Sequence, residues 1–304
     1  MKTKRFSSPP LKPEACCLAF GKFDGFHKGH QAIINTLRAM SESQKAIPAV
    51  FTFRRFPVPF YLSSWKERRC FLQDAGVSLC IWEDFEKIRN IQPEPFLRHL
   101  SHFCDIRGIV VGKDFRFGKD RKGSAAYLGR WAKKQGGQII LLDPVKEKKS
   151  IISSSAIRRM VEEGNFVRAA QFLGRWLSFE GLVVHGEGVG RKLGFPTANI
   201  SLNHPLPIPQ GSYAGIALLP SGRSEKALAF VGPAPTFQRK QSLFELHIPQ
   251  FQGDLYGSSL IFYPLLFLRK TRSFSSLEKL QQAIAKDVEK ALTLLHSNHL
   301  TDYS

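Results

Sequence analysis

Near residue 178 the sequence changes its grammar, and that change limits the fold more than any other feature. Upstream of it, short apolar runs alternate with amphipathic stretches. The runs at 15–20, 46–53, 77–82, 108–111 and 138–142 read as strands. The stretch carrying Ile33, Ile34, Leu37 and Met40, and those at 65–75, 95–104 and 125–134, read as helices. Strands alternating with helices mean a parallel sheet with crossover helices. Two further helical segments, 153–159 and 166–173, follow; the second ends at Gly174. Downstream of 178, short alternating segments separated by Gly and Pro (179–185, 212–219, 227–231, 243–248 and 260–263) predict an antiparallel barrel or sandwich, closed by an amphipathic helix over 275–295. At 304 residues the chain exceeds the size at which one core usually suffices, so two domains, 1–178 and 179–304, are expected.

Charge follows the same division. Residues 1–178 hold 32 Lys and Arg against 16 Asp and Glu, whereas 179–304 hold 12 against 9, within a total of +19. A basic first domain attracts polyanions, either nucleic acid or nucleotide phosphates. No zinc finger, basic zipper or RNA-recognition signature accompanies the charge, and the basic residues are scattered, so a small phosphorylated ligand is the better fit. No apolar run of about 18 or more residues predicts a membrane span. The basic start at Lys2, Lys4 and Arg5 runs into prolines rather than a signal core. Five cysteines, an odd number without zinc spacing, are expected as reduced, mostly buried thiols of a cytoplasmic protein.

Residues 21–30, G-K-F-D-G-F-H-K-G-H, join the first strand to the first helix. Glycines at 21, 25 and 29 let backbone approach a ligand. His27 and His30 sit at i and i+3 beside free helix-start amides, a combination suited to phosphate. A metal pair and two structural histidines are the competing readings. The turn is neither a P-loop nor a dinucleotide fingerprint. A second glycine-bounded loop, 112–123, follows another strand; its aromatics suit a flat ring and its basic residues suit phosphate, or it is a basic surface hairpin. In I-S-S-S-A-I-R (152–158), hydroxyls, amides and Arg158 can converge on a polyphosphate, or the serines simply cap a helix.

In the second domain the densest signal is 186–199, G-E-G-V-G-R-K-L-G-F-P-T-A-N. No helix is expected after its glycines, so it is a weak dinucleotide signal. Thr197 and Asn199, two apart in an extended segment, project to one side and offer neutral oxygens suited to Mg²⁺. In F-E-L-H-I (244–248), Phe244, Leu246 and Ile248 face the core. Glu245 therefore faces a ligand, as a general base, or plain solvent.

Taken together, these motifs resemble the bifunctional riboflavin kinase/FAD synthetases of bacteria, collinearly over about residues 15–295. G-x-F-D-G-x-H-x-G-H, G-x-D-F-x-F-G and I-S-S-x-x-I-R resemble the adenylyltransferase half. L-G-F-P-T-A-N, F-E-L-H and D-L-Y-G resemble the kinase half. The resemblance implies a Rossmann-like nucleotidyltransferase domain followed by a six-stranded flavokinase-type β-barrel with a terminal helix. It implies ATP-dependent phosphorylation of riboflavin to FMN, then adenylylation of FMN to FAD with release of pyrophosphate. Glu245 would be the kinase base, with Thr197 and Asn199 on Mg²⁺ and Gly186, Gly188, Gly190, Arg191 and Lys192 over the nucleotide phosphates. His27 and His30 would stabilise the triphosphate of a second ATP, with Gly21, Phe23, Gly29, Ser154 and Arg158 also binding nucleotide. Gly112, Asp114, Phe115, Arg116 and, in the kinase, Arg269 would lie near flavin. Substrates would be riboflavin, FMN and ATP, with neither nucleic acid nor membrane as partner.

Four places depart from the family pattern. Lys22 replaces the usual Asn, and Arg54-Arg55-Phe56-Pro57 replaces Asp-x-His-Pro. Phe230 stands where Asn is common, and Thr271 where Glu usually follows Leu268-Arg269. The first two bear on adenylyl transfer and the last two on flavin binding by the kinase. The alternatives are that one activity alone is retained, or that the protein binds nucleotide or nucleic acid without catalysis.

Overall fold

The computed structural model describes residues 1–9, 13–186, 188–202, 208–232, 243–249 and 251–297. It comprises two compact units, Met1–Ser154 and Ser155–Ser304. This division by packing falls before two helices that precede the change of sequence grammar at 178.

The first unit runs β1 (Lys2–Arg5), β2 (Glu14–Phe20), α1 (Lys28–Ser43), β3 (Ile47–Phe53), α2 (Trp65–Asp74), β4 (Leu79–Glu83), α3 (Phe85–Ile88), α4 (Pro93–Leu100), β5 (Cys104–Gly112), β6 (Arg116–Phe117), β7 (Gly123–Ser124), α5 (Ala125–Lys134), β8 (Gln138–Leu142), β9 (Lys146–Glu147) and β10 (Ser150–Ile151). Six strands form one sheet in the order β1-β4-β3-β2-β5-β8, every neighbouring pair parallel. β2 reads as an unbroken apolar run because both sheet faces are covered. Cys16 and Leu18 pack with Phe51, Phe96 and Phe103, while Cys17 and Ala19 pack with Leu37 and Val110. Strand order reverses beside β2, with β3 and β4 on one side and β5 and β8 on the other. In such a sheet the ligand crevice opens beyond the carboxyl ends of the two strands at the reversal, here β2 and β5.

α6 (Ser154–Glu162) and α7 (Phe166–Leu173) precede the barrel strands. These are β11 (Phe179–Val184), β12 (Thr197–Ser201), β13 (Gly211–Leu218), β14 (Ser224–Gly232), β15 (Leu243–His247) and β16 (Ser259–Lys270), with α8 (Val189–Lys192) between β11 and β12. They close into an antiparallel barrel in the order β11-β12-β15-β14-β13-β16. α9 (Leu277–Ser297) lays Ala291 against Ala214 and Leu228.

Two local expectations are corrected and one strand is added. The helix expected over 95–104 ends at Leu100, and Cys104 opens β5. Phe103 continues the helical apolar period and is buried, but from the turn between the two elements. A single-turn helix, α8, starts after Gly188 and includes Gly190, where no helix was expected; it is too short for a dinucleotide site. β1 was not anticipated; its Lys-Thr-Lys-Arg sequence has no apolar alternation, and Arg5 is held from outside by Glu83 at 3.0 Å.

Candidate active sites

The turn between β2 and α1 owes its shape to buried polar contacts and strained backbone. Phe23 and Phe26 adopt φ of 50° and 41°, a region non-glycine residues seldom occupy, and Gly25 lies at 77°. Asp24 is fully buried, and its carboxylate accepts from the backbone N–H of Leu62 at 3.0 Å and of Ser63 at 3.1 Å. Ser63 Oγ in turn accepts from Gly25 N–H at 2.9 Å. The Asp24 carbonyl accepts from Ser154 Oγ at 3.0 Å, which brings the serine motif to this turn. A Cβ on Gly21 would press on the Phe23 ring at 3.0 Å.

His27 is the N-cap of α1, and its Nδ1 accepts from His30 N–H at 3.3 Å. That bond requires Nδ1 to be unprotonated, leaving Nε2 as the N–H donor. The two imidazoles stack at 3.7 Å between centroids, and the Phe23 ring meets His30 edge-on at 5.3 Å. A Cβ on Gly29 would come within 3.1 Å of the His27 ring. The pair therefore sits at the carboxyl end of β2, at the start of a helix. Among the described residues no group of three or more His, Cys, Asp or Glu is placed to hold a metal.

The loop after β5 lies across the same crevice. Phe115 and Phe117 stack at 5.7 Å and both pack against Phe20, so these rings are partly committed to the core. Asp114 and Arg116 are exposed, and Gly112 has open space where a Cβ would stand. Arg158 is buried on α6, in the second unit.

Arg68 carries no motif in the sequence. It points inward from α2, only 2% exposed, and donates to the carbonyls of Phe53 at 2.6 Å, Arg54 at 2.7 Å and Lys22 at 3.4 Å. Its guanidinium lies 5.2–5.6 Å from the rings of Phe56, Tyr61 and Trp65. Burial pulls its pKa below the ordinary arginine value, an effect the Asp24 charge opposes. Nothing in the periodicity of a ten-residue helix marks this arginine as the internal one.

On the barrel, register assembles a second constellation. Asn199 on β12 pairs with Glu245 on β15, Glu245 with Phe230 on β14, Phe230 with Ser212 on β13, and Ser212 with Arg269 on β16. Directly paired residues share a face, so one rung across five strands carries Asn199, Glu245, Phe230, Ser212 and Arg269. Phe244 and Leu246 are buried on the opposite face, as alternation predicts. Thr197 pairs with His247. His247 Nδ1–H donates to the Pro196 carbonyl at 2.8 Å, tying the P-T-A-N segment to β15. Burial lowers the His247 pKa, and the bond to Pro196 acts against that shift.

The upstream glycines touch the two oxygen-bearing side chains. A Cβ on Gly186 would overlap the Asn199 amide, and one on Gly190 would come within 2.9 Å of Thr197 Oγ1. Gly188 has φ 69° and opens α8, on which Arg191 and Lys192 are exposed. Beside them a pocket of about 460 Å³ is lined by Arg191, Thr197, Asp254 and Tyr256 among others. His185 stacks on Tyr256 at 3.9 Å. Arg269 is paired through Nη2 with Asp287 of α9 at 2.8 Å, and Thr271 Oγ1 donates to the Val231 carbonyl at 3.4 Å.

Fold and sites define a class: a parallel α/β unit with an anion-suited turn at its switch point, joined to a closed barrel bearing hydroxyl, amide and carboxylate groups side by side. Residues 10–156 match the FAD synthetase family and residues 173–295 the riboflavin kinase family. The bifunctional riboflavin kinase/FMN adenylyltransferase of Escherichia coli (strain K12) is 30% identical over 90% of this chain and 91% of its own. That of Haemophilus influenzae is 30% identical over 93% and 96%. A crystal structure named macrolide-efflux protein, from Streptococcus pneumoniae, superposes with a TM-score of 0.82 at 28% identity, covering 96% of this chain and 99% of that one. Among the described residues no helix is long and apolar enough to cross a membrane. The chain belongs to the bifunctional riboflavin kinase/FMN adenylyltransferase family and carries both of its domains.

Proposed function

We propose that the chain makes FMN on the barrel and FAD on the α/β unit, with residues 179–304 responsible for the first step and 1–178 for the second. The observation that carries the kinase assignment is the rung placing Glu245 directly beside Asn199. Glu245 takes the proton from the riboflavin 5′-hydroxyl as that oxygen attacks the γ-phosphorus of ATP, and ADP leaves. Thr197 and Asn199 supply uncharged oxygens next to a carboxylate, a donor set that fits Mg²⁺ with phosphate and water completing its shell. Magnesium there would offset the charge of the transferring phosphoryl group. Gly186, Gly188 and Gly190 keep the covering loop close, and Arg191 and Lys192 meet the phosphates. Arg269, at the far end of the rung, faces the flavin side.

In the second step an oxygen of the FMN phosphate attacks the α-phosphorus of another ATP. The bond to pyrophosphate breaks, so two phosphate-bearing substrates must be held with their charges offset. His27, through Nε2–H, and His30 donate to the triphosphate, and Gly21, Phe23 and Gly29 shape the approach. Ser154 completes the anion contacts, and Gly112, Asp114, Phe115 and Arg116 border the flavin. No covalent enzyme intermediate is needed. The scattered excess of basic residues serves these small anions rather than nucleic acid, and the protein acts in the cytoplasm.

The test is direct. Incubated with riboflavin, ATP and Mg²⁺, the protein is expected to produce FMN and then FAD, separated by chromatography. Absence of both products would overturn the proposal, and accumulation of FMN alone would restrict the chain to its kinase half.

A further inference from the structure

The turn after β2 carries a lysine besides its histidines. Lys22 stands at the carboxyl edge of the sheet, and its own carbonyl accepts from Thr52 Oγ1 at 3.2 Å and Arg68 Nη1 at 3.4 Å. The backbone from which the side chain leaves is thus tied to β3 and α2. Its ammonium lies 5.0 Å from the centroid of the Phe56 ring, and the Arg68 guanidinium lies 5.3 Å from the same centroid. Phe56 is itself fixed: it is 5% exposed, its N–H donates to Tyr61 Oη at 3.1 Å, and its carbonyl accepts from that hydroxyl at 3.0 Å. Lys22 is exposed, whereas Arg68 faces inward and is surrounded by carbonyls.

A lysine normally carries its charge on a mobile stem. Here attraction to the Phe56 ring restrains that charge at 5.0 Å from the ring centroid, on a residue that directly follows Gly21. Lys22 and Phe56 belong to two separate segments that depart from the family pattern, at 22 and at 54–57, and the fold brings them into contact.

We propose that Lys22 is a further phosphate-contacting residue of the adenylyl-transfer site, with Phe56 the positioning residue that holds its ammonium in place. This rests on the assignment of residues 21–30 to adenylyl transfer. The ammonium keeps its proton throughout. It donates to a phosphate oxygen, of either the ATP triphosphate or the FMN phosphate, and offsets charge there.

The test uses the full chain carrying Lys22→Gln, Lys22→Arg, Phe56→Leu, Phe56→Tyr or the Lys22→Gln/Phe56→Leu pair, with His30→Ala alongside. FAD formation from supplied FMN is followed while ATP and FMN are varied separately, with inorganic pyrophosphate as a competing anion. Unfolding of the first unit at the parent's temperature reports that each variant is folded, and FMN formation by the barrel in the same preparations calibrates the amount of active chain. Lys22→Gln is expected to raise one KM about tenfold, the scale of a lost charge-assisted hydrogen bond. A raised KM for ATP with weaker pyrophosphate inhibition identifies the triphosphate; a raised KM for FMN alone identifies the FMN phosphate. Lys22→Arg and Phe56→Tyr should keep KM close to that of the parent, and Phe56→Leu should reproduce Lys22→Gln. The double variant should be no worse than the lysine variant alone, because coupled residues are not additive. Values within twofold of the parent for Lys22→Gln overturn the role of Lys22, and strict additivity overturns that of Phe56. Undiminished FAD formation by His30→Ala would instead refute the site assignment beneath both.

Discussion

Single atoms decide much at both sites. Gly186 is the plainest case, because the Cβ of any other residue would occupy the space of the Asn199 amide. Gly186→Ala must displace either the loop or the proposed metal ligand. Overpacking of this kind costs about 1–3 kcal/mol, so KM for ATP in FMN formation is expected to rise roughly tenfold. Adenylylation of supplied FMN in the same preparation should be unchanged; steady-state assays of the two half-reactions check both. Arg68 makes a comparable case for stability. Arg68→Met keeps much of the volume but strips donors from the carbonyls of Phe53, Arg54 and Lys22. The Lys22 carbonyl keeps Thr52 Oγ1, and the other two acceptors, left bare, cost about 1–3 kcal/mol each, so a loss of roughly 2–6 kcal/mol is expected in denaturant unfolding of the first unit. A loss below about 1 kcal/mol would mean that the carbonyls find other donors.

At the scale of elements, β12 and β15 are joined through His247 as well as by their ladder. Burial depresses the folded-state pKa of His247, so below the unfolded value of about 6.5 the unfolded chain binds more protons than the folded one. The stability contribution is therefore present above pH 6.5 or so and drains away as pH falls toward the folded pKa. His247→Asn, whose amide can still donate to the Pro196 carbonyl, is expected to flatten the fall in Tm of the second unit on acidification. An unchanged slope would place the acid sensitivity elsewhere. Periodicity could be read for elements whose pattern is local. β2 is apolar on both faces, α5 spans Ala125–Lys134 as its spacing predicts, and Phe244 and Leu246 turn inward. It could not be read where distant partners hold the structure. β1 is four polar residues kept in place by its neighbours, and inward-pointing Arg68 is exceptional in a helix whose pattern marks charged residues as exposed. The rung from Asn199 to Arg269 needs the register of five strands, which single-strand alternation does not contain. The candidate residues were legible one by one as motifs; Lys22 meeting Phe56, and Glu245 beside Phe230, exist only once the chain is folded.

For the whole molecule, two units built on different principles serve successive reactions. The parallel sheet carries the proposed anion site at its switch point, while the barrel sets a carboxylate, a hydroxyl and an amide along adjacent strands. The central claim is that these are separate active sites. The most direct measurement compares Glu245→Gln and His30→Ala in the full chain, following FMN formation from riboflavin and FAD formation from supplied FMN. Glu245→Gln is expected to lower FMN formation by about 10²–10⁴-fold, the range for loss of a general base, while still converting supplied FMN to FAD. His30→Ala is expected to let FMN accumulate with FAD formation abolished or nearly so. Loss of both activities in either folded variant would contradict the account.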